Sequence, residues 1–165
     1  MNISGWGNNN IINSEIVYPK NDEEIIKILK SLKNNSIITR GLGRSYGDMS
    51  LNKNVLSLMK YEKYYDLNEE TKTLECSANI SIIEILEKIV NKGLFFNVSP
   101  GSKFVTIGGA IANDVHGKNH HKDGSFSDYI EELKLIIPDG TIRVCSKISD
   151  SQLFRATCGG AGLTG

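Results

Sequence analysis

The sequence predicts an α+β fold, and three observations carry that expectation. Two helices announce themselves by start signals and apolar faces, at Asn21 and at Ser81. Two turn-bounded pairs of apolar runs, within 64–77 and 133–145, read as β-hairpins. Helix and strand patterns are interspersed without steady alternation, which argues against a doubly wound parallel sheet.

Taken in order, residues 1–18 show no clear period, though Gly5-Trp6-Gly7 sets a rigid aromatic between flexible neighbours. Pro19 breaks the chain, and Asn21 with Glu24 is a helix-start pair. Ile25, Ile26, Ile28, Leu29 and Leu32 then mark one face of a helix ending near Asn34 and Asn35. A strand around 37–39 leads into a glycine-rich loop, and 55–58 reads as a short strand. Residues 64–66 and 74–77 flank a polar turn. Ser81-Ile82-Ile83-Glu84 is a capping box that opens a helix with Ile82, Ile85, Leu86 and Ile89 inward, and Gly93 stops it.

Phe95-Phe96 reads as a strand and Ser99-Pro100-Gly101 as a turn. Residues 105–113 are small or β-branched until Asn113, so a helix there admits another backbone or a flat ligand very closely. After a histidine-rich loop, 133–137 and 141–145 flank Pro138-Asp139-Gly140, a hairpin signal. A short helix over 151–157 closes the pattern. A soft boundary near 68–72 divides approximate lobes 1–70 and 71–165. The glycine-rich run 157–165 carries no charged tail and reads as the interior of a longer protein, so the chain is expected to be a fragment, truncated at its C-terminus.

Composition narrows the function. The 165 residues suffice for one domain with a real core. Lysine plus arginine equals aspartate plus glutamate at 19 each, so no global basic field draws in nucleic acid. Cys76, Cys145 and Cys158 are odd in number and scattered, the pattern of reduced thiols in a cytoplasmic protein. No transmembrane segment and no signal peptide can be read.

The chemistry concentrates in Arg40, Gly41, Leu42, Gly43, Arg44, Ser45, Tyr46 and Gly47. Glycines let backbone N–H groups approach a ligand, and arginines beside them favour phosphate or another anion. The loop lacks the Lys-Ser/Thr pair of a Walker phosphate loop, and its third glycine falls one residue late for a dinucleotide fingerprint. A plain surface turn is the competing reading.

All three histidines, His116, His120 and His121, lie in the second candidate stretch. A metal site using them is weighed and not expected, because Gly117 interrupts the spacing. A solvated loop or a cofactor-facing loop remains open. Gly101, with Thr106, Ile107, Gly108 and Gly109, forms a third group offering further backbone N–H donors. Trp6 reads equally as a cofactor shield or a buried anchor.

In combination these blocks resemble an FAD-binding oxidoreductase of the vanillyl-alcohol-oxidase (PCMH-type) family, in the branch acting on polyprenyl-linked ribose. Gly5-Trp6-Gly7, the loop Arg40 to Asp48, Pro100-Gly101, 105–112, 114–121, Gly124-Ser125-Phe126 and Gly159-Gly160 carry the likeness, in order along nearly the whole chain.

The resemblance implies a two-lobed, PCMH-type FAD-binding domain, partial here, with the substrate domain absent. It implies that the loop from Thr39 to Met49 wraps the FAD pyrophosphate, helped by Gly101 and Thr106 to Gly109, and that Asn113, Asp114, Val115 and His116 line the flavin. Arg44 stands where covalent members carry a histidine, which implies non-covalent FAD. His116 and Lys118 are the flavin-tuning candidates, and catalytic residues are expected beyond Gly165. The implied activity is oxidation of a sugar or polyol CH–OH, on a small-molecule or lipid-linked sugar, with a separate reductase as possible partner. A non-catalytic nucleotide- or FAD-binding module is the alternative.

Overall fold

The computed structural model describes residues 1–32 and 36–165. Nine short strands and five helices are seen among them, mixed along the chain as an α+β fold requires. Among the described residues, no helix is long and apolar enough to cross a membrane.

The first eighteen residues hold three strands that the sequence did not announce: β1 (Asn2–Ser4), β2 (Ile11–Asn13) and β3 (Glu15–Val17). β1 and β2 pair antiparallel, with Ile3 opposite Ile12. Helix α1 (Asp22–Ser31) follows, capped by the Asn21 side chain, which accepts the Glu24 N–H at 3.0 Å. Glu24 completes the start one residue early, taking the N–H of Lys20 at 2.8 Å. Asp22, Glu23 and Glu24 place negative charge at the positive end of the helix. Its expected end near Asn34 and Asn35 lies outside the described residues.

β4 (Ile38–Arg40) and β5 (Asn54–Ser57) complete a parallel sheet in the order β3-β5-β4. Val55 sits at its centre, fully buried and opposite both Ile16 and Ile38. With Ile3 and Ile38 it forms the smaller of two apolar cores. Leu58, expected in the strand, opens a 3-10 turn instead.

The remaining sheets are antiparallel pairs. β6 (Tyr65–Asn68) pairs with β7 (Thr73–Cys76), so 69–72 form their turn. β8 (Glu132–Ile136) pairs with β9 (Ile142–Ser146), where Gly140 takes φ +84° and donates its N–H to Ile137. Helix α2 (Ile82–Ile89) has its full capping box, with Ile82, Ile85 and Ile89 buried. A 3-10 turn extends it to Gly93, whose φ of +72° ends it.

Phe95 and Phe96 are not a strand, a correction to the sequence reading. Among the described residues no neighbouring strand offers them a ladder; Phe96 packs on Phe126 with ring centroids 6.0 Å apart, and Phe95 is exposed. The larger core gathers Ile80, α2, Phe126 and Ile107, Ala110 and Ile111 of helix α3 (Ile107–Ala112). A four-residue helix, α4 (His120–Asp123), sits unannounced in the histidine-rich loop. Helix α5 (Ser151–Thr157) stands where the sequence places it. The segment after it docks on α3: Gly159 donates to Ile111 O at 3.0 Å and Ala161 to Ala112 O at 2.7 Å.

Candidate functional site

The glycine loop leaves the carboxyl end of β4, the edge of a parallel sheet where ligand crevices form. Gly43 and Gly47 take φ of +67° and +63°, conformations that a side chain strains. Between Leu42 and Gly47 none of the six backbone N–H groups finds an acceptor among the described residues. None of these residues is buried, so the amides face outward, and a run of outward-facing N–H groups on a curved loop has the geometry of an anion-binding nest.

The loop is held from three sides. Trp6 donates its backbone N–H to Ser45 O at 3.0 Å, and a Cβ on Gly5 would meet Gly47 O at 2.2 Å. Gly41 lies against Thr106, whose hydroxyl would be 2.5 Å from a Cβ there. Arg40 reaches back from β4, donating to Ser4 O at 2.7 Å, Ser50 Oγ at 3.0 Å and Ser50 O at 3.3 Å. Its guanidinium is held below its ordinary pKa by desolvation, and the three bonds turn it toward Ser4 and Ser50. Arg44 instead is exposed, its guanidinium 5.3 Å from the Trp6 ring. Trp6 is 55% exposed, which removes its reading as a buried anchor.

Loop and α3 share one cleft of about 2130 Å³. That is well above the roughly 300–1,000 Å³ of a small-molecule pocket and has room for an extended dinucleotide. Arg40, Gly41, Leu42, Gly43, Arg44, Ser45 and Tyr46 line it, as do Thr106, Ile107, Gly108, Gly109, Asn113 and Val115. Gly47, Asp114, His116 and Lys118 lie outside that lining, and Gly101 borders a separate notch beside Phe95 and Phe104.

The amides of α3 correct one expectation. Ile107 N–H is taken by Ile80 O, Gly108 N–H by Ala78 O and Gly109 N–H by the Thr106 hydroxyl. They are therefore not open donors. The glycines there serve close packing, since a Cβ on Gly108 would stand 3.0 Å from that of Ala78. Asp114, at φ +40°, is likewise engaged: its carboxylate accepts Ser125 Oγ and Ser127 N–H, both at 2.9 Å. It orders the turn after α3.

His116 is exposed, 4.9 Å from His120 between ring centroids, and Lys118 is exposed beside it. No group of three or more metal-ligating side chains converges among the described residues. Burial pushes the thiols of Cys76 and Cys158 up to about 11, so both are neutral packing groups against the larger core.

Sequence reasoning missed Ser4 and Ser50, the anchors of Arg40, because a serine in a short strand and another in a turn carry no signal of their own. It also missed Asn79. That residue is 3% exposed, donates to Leu58 O and Tyr61 O at 2.9 Å, and borders the cleft.

A dinucleotide with a pyrophosphate fits this donor set: free amides over a roomy, partly apolar cleft, with one exposed arginine at the rim. Comparison with known proteins agrees. Residues 14–146 match the FAD binding domain family. The chain is 33% identical to decaprenylphosphoryl-beta-D-ribose oxidase of Mycolicibacterium smegmatis, over 99% of the chain and 37% of that protein. It is 26% identical to the D-lactate dehydrogenase of Archaeoglobus fulgidus, over 79% of the chain and 30% of the relative. It is also 26% identical to the glycolate oxidase subunit GlcD of Bacillus subtilis, over 91% and 34%. The chain thus spans about a third of the length of these relatives. The match over most of its length, joined to the glycine loop, shows that the chain belongs to the FAD binding domain family, with FAD as its cofactor.

Proposed function

We infer that this chain is the N-terminal, partial FAD-binding domain of an oxidoreductase that converts a CH–OH group of a sugar or polyol to a ketone. The observation that carries the reading is the run of six amides from Leu42 to Gly47 without acceptors among the described residues, five of whose residues, Leu42 to Tyr46, line the shared cleft. FAD supplies acceptance of hydride from the carbinol carbon; the protein supplies binding, orientation and electrostatics.

In this reading Leu42 to Gly47 hold the pyrophosphate through backbone N–H groups, and Arg44 adds charge from the rim. Arg40, Gly41 and Thr106 to Gly109 shape the wall, while Asn113 and Val115 border the flavin. Asp114 acts from behind that wall by ordering the turn, while His116 and Gly101 stand outside the cleft lining at its margins. Arg44 in place of a histidine leaves no ring nitrogen there to bond the flavin, so FAD is held non-covalently.

Two lobes, 1–70 and 71–165, flank the cofactor in this proposal, with the substrate domain beyond residue 165. The relative named for decaprenylphosphoryl-ribose supports a lipid-linked or activated sugar as substrate, and a separate reductase partner belongs to the proposal. A cytoplasmic location completes the proposal, and the balanced 19 to 19 charge supports the absence of a nucleic-acid partner.

The test is purification of the full-length gene product. It is expected to be yellow and to release one FAD per chain on denaturation in acid. A colourless protein that takes up no added FAD overturns the reading. The nest by itself also supports a second reading, a nucleotide-binding module without turnover. FAD and ADP binding by the full-length protein, with no flavin bleaching by any sugar, polyol or 2-hydroxy acid, would favour that module.

A further inference from the structure

We propose that Arg40 is a positioning residue, a brace that holds the Leu42 to Gly47 amides in their open, anion-ready arrangement without itself touching the anion. The inference rests on the FAD-binding reading and extends it to how the nest is built.

Three contacts of one guanidinium define the brace. Nη2 donates to Ser4 O at 2.7 Å, which ties the loop to β1. Nη1 donates to Ser50 Oγ at 3.0 Å and Ser50 O at 3.3 Å, which ties it to the loop's return. The planar fork thus spans both flanks of the loop from the strand that feeds it. A lysine offers a single point charge and cannot make that fork.

Gly43 shows how closely the loop folds over the brace. A Cβ there would stand 2.1 Å from Arg40 Nη2 and 2.7 Å from Cζ. The same construction at Gly47 meets nothing within 4 Å, although both glycines have nearly the same positive φ. The two positions therefore carry the same backbone strain on substitution but differ in whether the guanidinium is displaced. Loop amides that lack acceptors need such outside support, because no hydrogen bonds of their own hold the curve.

The experiment compares Gly43→Ala, Gly47→Ala, Arg40→Lys, Arg40→Met and the double variant Arg40→Met/Gly43→Ala. ADP and riboflavin affinities are read by calorimetry, and order parameters of the 42–47 amides by nuclear magnetic resonance without ligand. Gly43→Ala, Arg40→Lys and Arg40→Met are expected to lower ADP affinity about tenfold or more, and Gly47→Ala by less. Riboflavin, which lacks the pyrophosphate, is expected to lose far less. In the Arg40→Met background the further effect of Gly43→Ala should shrink to that of Gly47→Ala. The ligand-free loop amides should fall from about 0.85 to below about 0.6 in order parameter.

If Arg40→Met does not fold, the comparison of Gly43→Ala with Gly47→Ala decides alone. ADP affinity and loop order unchanged in Arg40→Met, or equal losses from the two glycine variants, overturn the brace. Wild-type protein that binds neither FAD nor ADP overturns the functional reading instead, and the order parameters still decide the brace.

Discussion

Tyr61 donates its hydroxyl to the Asp22 carboxylate at 2.5 Å, joining the turn after β5 to the first turn of α1. Lys134 of β8 reaches the other oxygen of the same carboxylate at 2.9 Å. Asp22 is therefore a junction between the parallel sheet's helix and the C-terminal hairpin, and all three residues border the cleft.

This junction has a pH signature. Burial and the adjacent Asp22 carboxylate push the Tyr61 hydroxyl from 10.0 up to about 12. A raised pKa means that the folded state holds the proton more tightly, so its contribution is complete below pH 10 and is lost as pH rises through 12. Asp22 is held below its usual value, first by the Tyr61 hydrogen bond and then by Lys134 against burial; its contribution is lost in strong acid. Tyr61→Phe is expected to cost about 1 kcal/mol near neutrality. In urea titrations the gap between the two proteins should close from pH 10 to 12. A constant gap across that window sinks the assignment.

Glu84 gives the matching prediction in acid. Its carboxylate bonds Lys63 and the hydroxyl and N–H of Ser81, and these hold it down to about 2 from 4.5. A depressed pKa contributes above pH 4.5, and that contribution fades as pH falls toward 2. Glutamine can keep the reciprocal cap but not the charge. Glu84→Gln should therefore cost only about 0.5 kcal/mol at pH 7, with a flatter stability profile between pH 4.5 and 2. Since Lys63 and Glu84 are well exposed, the difference should shrink further in 1 M salt, where the Debye length is about 3 Å.

The glycine loop and α3 meet at one atom pair that can be tested. A Cβ on Gly41 would lie 2.5 Å from the Thr106 hydroxyl, the group that caps α3 by accepting Gly109 N–H at 3.1 Å. Gly41→Ala must push that hydroxyl off its bond, at a cost of about 1–2 kcal/mol. Thr106→Ala removes the cap but also the obstructing atoms. The double variant should then be no less stable than Thr106→Ala alone, read by thermal melts. Additive losses would show that the loop and α3 are not in contact.

What the sequence made legible was local. The Ser81 capping box, the Ile82, Ile85 and Ile89 stripe and the Pro138-Asp139-Gly140 turn carry their signals within a few residues, and each stands where it was read. β1, β2 and β3 are three residues each, too short to show a period, and β3 pairs with β5 from Glu15 to Asn54. The tight glycine loop, with Gly43 and Gly47 at positive φ, was visible from composition alone. The aim of Arg40 was not, because Ser4 and Ser50 fix it from elsewhere in the chain. Nor could Thr106 to Gly109 reveal that Ile80 and Ala78 already take the amides of α3.

Trp6 is the chain's single tryptophan and is tied by its backbone to the glycine loop, which makes its fluorescence a reporter of that loop. Its backbone holds Ser45, its ring lies 5.3 Å from the Arg44 guanidinium, and more than half of it faces solvent. An anion bound to the Leu42 to Gly47 amides draws Arg44 toward itself and changes what covers the indole. ADP titration is therefore expected to shift or quench the emission saturably, at the concentration that calorimetry gives for binding. Arg44→Ala should shift the emission of the free protein, remove a cation–π contact of about 0.5–1 kcal/mol, and weaken ADP binding more at low salt than at high. Emission that stays constant while calorimetry shows saturation would place the anion away from this loop.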